Sequence, residues 1–288
     1  MTVQKNAFLM FSKPPIPGLV KTRLTTMHDG PFTPLQASTL FHRMMFDVLE
    51  CTMQALDRLE EQNKREREAD PTVPERVYDV FVSTTPHKHV EKMREIFEKG
   101  QSWPREIHLI EDHGKVFDDH FDDAFQQIFD LGYETCISVG GDIPIIPRDH
   151  IIDAYNYLHE FQKRYPTGGM VLAPCQAGGT SLVGYTHNCG MNHQTVYYNL
   201  DGRPALQAYL DKGREAGDMP MALLEPVGDV DNIEDFAHVI SVINALEYAS
   251  QFQDVFVPHR TLEFIRAFGL KVTTPPNRNF DSREEIDE

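Results

Sequence analysis

Six short apolar runs of strand character recur along the 288-residue chain, at positions 7–11, 77–83, 107–110, 134–139, 169–173 and 180–185. Helically spaced apolar residues fill several of the intervals between them. Alternation of this kind buries a sheet between two helical layers, so it predicts an α/β, Rossmann-like, mainly parallel sheet with helices on both faces. The longest helical pattern, residues 34–59, repeats Leu40, Phe41, Met44, Met45, Val48, Leu49, Met53 and Leu56 and predicts the crossover after the first strand. It runs into the mixed-charge segment EEQNKREREAD, expected as a solvated helix extension and loop. Residues 116–131 repeat the helical spacing and stop at Gly132, and further helices are expected at 203–214, 233–249 and 255–269. The chain then divides into a sheet domain, 1–250, and a C-terminal appendage, 251–288, helical first and a polar acidic tail from Val272. Phe252, Phe256, Phe264 and Phe268 in that appendage predict either a cover over the sheet or a homodimer contact.

Composition removes several classes of function. A formal net charge of −17 opposes wrapping by nucleic acid, which relies on dense Lys and Arg surfaces, so an anionic ligand needs a local basic pocket. No run approaches the roughly 20 apolar residues of a membrane helix, and the N-terminus lacks the pattern of a secretory signal. A cytoplasmic protein is expected. Cys51, Cys136, Cys175 and Cys189 are far apart with no CxxC pairing, which points to neither a zinc site nor a disulfide framework. The histidine spacings match no standard zinc arrangement, and the aspartates at 118, 119, 122 and 123 read as a solvated helix face.

Four segments carry candidate chemistry. SKPPIPGLVKTRL, residues 12–24, follows the first strand, where an open parallel sheet commonly cradles phosphate. Its prolines restrict the loop, Gly18 lets backbone approach a ligand, and Lys21 and Arg23 supply positive charge. In SVGGDIP, Asp142 stands just past a strand end, suited to a hard divalent cation that prefers oxygen ligands. In DVDNIEDF, Asp229 and Asp231 point the same way if extended, while Asp231 also fits an N-cap with Glu234 three residues on. In APCQAGGTSLVGY, Gly178 and Gly179 serve either a tight hairpin or close ligand approach.

Taken in this order the segments resemble a large, mostly uncharacterised prokaryotic family with the glycosyltransferase A-type fold, related to the molybdenum-cofactor and 2-phospholactate guanylyltransferases. KPPIPGLVKTRL is similar to its K-x-P-x-P-G-x-V-K-T-R-L, GGDIP to its G-x-D-x-P, APCQAGGTSLVGY to its P-x-x-D-G-G-Y-x-L-x-G, and DVDNIEDF to its D-V-D-T-x-E-D-L. The resemblance spans roughly residues 6 to 245. It implies a nucleotide-diphospho-sugar transferase fold and a nucleotide site made of Lys13, Pro17, Gly18, Lys21, Thr22 and Arg23. It implies Mg²⁺ or Mn²⁺ held by Asp142 with Asp231 or Asp229, a substrate contact at Pro144, Gly178 and Gly179, and catalytic roles for Lys21, Arg23 and Asp142. The expected activity is metal-dependent glycosyl or nucleotidyl transfer from a nucleotide sugar or nucleoside triphosphate to a small acceptor. Ala177 stands where the family carries Asp, Thr180 where it carries Tyr, and residues 111–121 lack its glycine and arginine. These departures motivate the alternative, a catalytically silent nucleotide-binding or partner-binding domain of the same fold.

Overall fold

The computed structural model describes residues 3–273. In chain order it holds β1 (Val3–Ser12), α1 (Pro34–Ala69), β2 (Glu75–Thr84), α2 (Val90–Gly100), β3 (Ile107–Glu111), α3 (Phe117–Asp130), β4 (Thr135–Gly140) and α4 (Arg148–Arg164). There follow β5 (Met170–Pro174), β6 (Thr180–Thr186), α5 (Ala205–Glu215), β7 (Met221–Leu223), α6 (Ile233–Ala249) and α7 (His259–Ala267). The strands form one sheet in the order β3-β2-β1-β4-β6-β5-β7, and only β6 runs antiparallel to its neighbours. The predicted class is therefore correct. All six expected strands are present, and α2, α4 and β7 are added to the expected elements.

α1 shows why the local sequence folds as it does. Thr33 caps it through Gln36, which returns the bond, and Pro34 occupies the first turn, where no N–H is needed. The helix runs for 36 residues, so the expected helix extension takes up the charged segment as far as Ala69. Buried Asn63 explains this: its side chain donates to Pro74 O at 3.0 Å and accepts from Arg76 N at 2.9 Å, while Glu66 pairs with Arg76. One face of that charged run is thus fastened to the start of β2.

α1, α2 and α4 cover one face of the sheet, and α3 and α5 cover the other. A third apolar cluster lies beyond the sheet edge of the loop after β1. There Val20 and Leu24 of that loop meet Leu40 and Phe41 of α1, Phe236 and Val239 of α6, and Leu262, Phe264 and Ile265 of α7. The appendage helix, shorter than expected because Pro258 precedes its first turn, therefore lies on α1 and α6 and not over the sheet. The buried carboxylate of Asp47 on α1 fixes it, accepting from Thr261 N and Oγ1, both at 2.7 Å, and from Arg260. The expected tail lies, past residue 273, outside the described residues.

Candidate functional site

β1 and β4 are parallel neighbours, so the segments leaving their C-terminal ends emerge side by side. After β1, Leu19 N donates to Ile16 O at 3.0 Å, closing a turn with Pro17 and Gly18 at its centre. Gly18 has φ +81° and a Cβ there would meet no protein atom, so it is required by the turn's left-handed conformation. Lys21 then adopts φ 47° and ψ 38°, a conformation few non-glycine residues hold, and opens a short 3₁₀ turn over Thr22–Leu24. That backbone, seated on buried Leu24, turns the Lys21 side chain inward, where only 8% of it is exposed.

After β4, Gly140 leaves room for the carboxylate two residues on: a Cβ on Gly140 would lie 2.6 Å from Asp142 Oδ1. Lys21 Nζ donates to Asp142 Oδ2 at 2.5 Å and to Asp231 Oδ1 at 3.2 Å. Arg23 reaches the other oxygen of Asp231 at 3.3 Å. Val230 N donates to Asp142 O at 3.1 Å, which ties the segment before α6 directly to the end of β4. Asp231 does not cap α6. Asn232 caps it through Asp235, whose carboxylate also accepts from Asp231 N, so the Asp231 side chain is left to face the cleft.

Asp142, Asp229 and Asp231 bring carboxylate oxygens within 4.8 Å of one another. Gln176, on the loop joining β5 to β6, holds Asp229 by donating to its Oδ1 at 2.6 Å. Burial first, and then the neighbouring Asp142 and Asp231, push the Asp229 carboxyl up to about 6, against the pull of Lys21. Burial alone would lower the Lys21 pKa, but Asp142 and Asp231 outweigh it and hold the ammonium above its ordinary value. Crowded hard oxygen donors, one of them reluctant to ionise, fit a divalent cation such as Mg²⁺ or Mn²⁺. Burial first, and then the neighbouring Asp229, raise the Cys175 thiol to about 12.

A cleft of about 370 Å³ opens above this cluster, lined by Lys13, Lys21, Thr22, Arg23, Asp142 and Asp231 together with Phe11, Phe117 and Thr85. A second recess of about 340 Å³ adjoins it, lined by Arg23, Gln176, Gly178, Gly179, Asp229 and Asp231. The glycine pair belongs to the hairpin between β5 and β6, so the hairpin and ligand-approach readings describe one loop. Ala177 in that loop has φ 56°, a conformation that Asp or Asn holds more readily than Ala. Pro17 and Gly18 are exposed in the turn and Pro144 is buried, and none of the three is among the residues lining the cleft.

Sequence reasoning missed Gln176, Phe117 and Thr85, since each acquires its place only through long-range packing. It also misjudged the acidic face of α3. Asp118 accepts from Tyr197 N and Tyr198 N, and Asp122 accepts from His193 N, so these carboxylates fasten the loop between β6 and α5. Thr85 leads to a further buried group beside the cleft, where Asp112 accepts from Ser83, from Thr85 at 2.5 Å, and pairs with His120. Among the described residues no helix is long and apolar enough to cross a membrane.

Residues 71–199 match the model of a family described as "Uncharacterized protein conserved in bacteria (DUF2064)". No curated protein matches the chain. Among solved structures, a candidate nucleotide-diphospho-sugar transferase from Desulfovibrio desulfuricans G20 aligns at 20% identity with a TM-score of 0.64, over 91% of this chain and 95% of that one. A cytidylyltransferase from Leptospira borgpetersenii aligns at 14% identity with a TM-score of 0.46, over 92% and 95% of the two chains. The first of these likenesses shows the fold that the resemblance implies, and the family match takes in two of the four segments, SVGGDIP and APCQAGGTSLVGY.

Proposed function

We propose that this chain, having the nucleotide-diphospho-sugar transferase fold, is a metal-dependent transferase that uses a nucleotide sugar or nucleoside triphosphate to modify a small acceptor. The observation that carries the reading is the meeting of Lys21, Asp142, Asp229 and Asp231 at one cleft. Asp142, Asp229 and Asp231 would hold Mg²⁺ or Mn²⁺, which when bound supplies charge neutralisation for a phosphate leaving group. The other contributions belong to the protein. Lys21 and Arg23 present fixed positive charge to phosphate oxygens, Lys21 as a point charge and Arg23 as a planar fork. Lys13 and Thr22 line the same cleft, and the turn at Pro17 and Gly18 sets its path. The recess beside Gly178 and Gly179 gives the acceptor a place adjoining the phosphates. Transfer of this kind depends on positioning and preorganised electrostatics, so no separate general base is required.

Calorimetry of nucleotide with Mn²⁺ tests the reading. Asp142→Ala should remove metal-dependent nucleotide binding, and an unchanged affinity would overturn it. Products then divide the two chemistries, since pyrophosphate release marks nucleotidyl transfer and nucleoside diphosphate release marks glycosyl transfer.

A further inference from the structure

A smaller pocket of about 110 Å³ lies on the α3 side of the sheet, between the ends of β1, β4 and β6. It shares Phe11 and Phe117 with the phosphate cleft, so the two spaces adjoin. Its walls are the rings of Phe11, Phe117, Phe121 and Tyr197, packed edge to face with centroids 4.9 Å apart for Phe117 and Tyr197. No charged side chain lines it. Thr180 Oγ1 and Tyr197 OH satisfy each other at 3.0 Å, and Ser181 Oγ donates to Ala173 O at 3.2 Å. Ser138 differs: its residue is only 4% exposed, it lines the pocket, and its hydroxyl has no hydrogen-bond partner among the described residues. That hydroxyl opens on the pocket, so a ligand atom placed there can bond it without displacing a protein partner.

We propose that this pocket is a subsite for a short uncharged acyl arm, of acetamido type, on a sugar phosphate held in the cleft, with the arm's carbonyl accepting from Ser138 and its methyl lying among the Phe117, Phe121 and Tyr197 rings. The assignment rests on the cleft being a nucleotide or sugar-phosphate site. Size supports it, because a cavity of about 150 Å³ holds benzene and this one takes a somewhat smaller group. Chemistry supports it too: the rings suit a methyl, the lone hydroxyl suits one polar atom, and no side chain offers a counter-charge. Thr180, short where the resembling family carries Tyr, keeps the space open.

The test compares N-acetylglucosamine 1-phosphate with glucose 1-phosphate by calorimetry in the presence of Mn²⁺, with pyrophosphate as the control for the cleft. The acetamido sugar should bind about tenfold more tightly, the scale on which a fitted pocket rewards a small group. Ser138→Ala should weaken it by about three- to tenfold, as expected for one lost hydrogen bond, leaving glucose 1-phosphate unaffected. Thr180→Tyr should bring the two affinities together while keeping or raising Tm. Equal binding of the two sugars by the unaltered protein overturns the subsite, as does a preference that survives both substitutions. If neither sugar phosphate binds while pyrophosphate with Mn²⁺ does, the subsite alone falls; if pyrophosphate fails too, the reading of the cleft falls with it.

Discussion

Asn232, one position past Asp231, carries the cap of α6, and that single offset decides whether Asp231 is structural or chemical. The sequence permits either residue as cap, since both are good N-caps followed three positions later by an acid. Choosing Asn232 leaves Asp231 facing Lys21 and Arg23. Asp229 is the residue whose titration exposes the site's electrostatics. Unfolded aspartate releases its proton near 3.8, whereas folded Asp229 keeps it up to about 6. Between those values the folded state binds more protons, so Asp229 makes the metal-free protein lose stability as pH rises through this window. Asp229→Asn should flatten that slope and raise Tm at pH 7 while weakening Mn²⁺ binding; scans of Tm against pH would show it, and an unchanged slope would refute it. At this scale Lys21, Arg23 and Asp142 were legible because charge beside a strand end is a local signal. Gln176 was not, because nothing near it in sequence announces that its amide will hold an aspartate 53 positions away.

α7 is the element whose role the sequence left open between a cover for the sheet and a dimer contact. Its Leu262, Phe264 and Ile265 complete the cluster beneath the loop after β1, almost wholly buried against α1 and α6, while Phe256 ahead of it joins the sheet-face cluster and Phe252 and Phe268 are exposed. Phe264→Ala should cost about 3–5 kcal/mol, the usual range for emptying a core aromatic site. Urea unfolding would measure that loss, and nucleotide affinity should fall as well, because Val20 and Leu24 of the loop share the cluster. A loss under about 1 kcal/mol would show that α7 is dispensable packing. The strong elements, α1, α3 and the six strands, were readable from periodicity. β7 was not, since three residues carry too little pattern, and α4 was passed over although Ile151, Ala154, Tyr155 and Leu158 form a buried stripe.

Across the whole molecule the charge distribution is uneven, with a net −17 set against a cleft that gathers Lys13, Lys21 and Arg23. A phosphate ligand must therefore be met locally and with a cation to offset the aspartates beneath it. In a thermal-shift screen, nucleotide with Mn²⁺ at 100 times its dissociation constant should stabilise the fold by about 2.7 kcal/mol. Either component alone should do much less, and equal stabilisation by nucleotide without metal would contradict the arrangement. Stabilisation without turnover of any donor would favour a silent domain, the reading to which Ala177 gives its weight. The class of fold was legible from alternation alone. The reversal of β6 was legible as the hairpin that Gly178 and Gly179 allow, but its insertion between β4 and β5 was not, because a hairpin leaves the second strand's other neighbour undecided.

The hydrogen bond from Val230 to Asp142 joins two stretches that leave the ribosome far apart in time. At about 5–20 residues per second, several seconds separate their synthesis. A nascent chain therefore carries its cationic bend and first carboxylate early, but all three clustered carboxylates are present only once residue 231 of the 288 has been made. Chains that stop before residue 229 would lack two of the three clustered carboxylates, so the proposed nucleotide site would be absent from them.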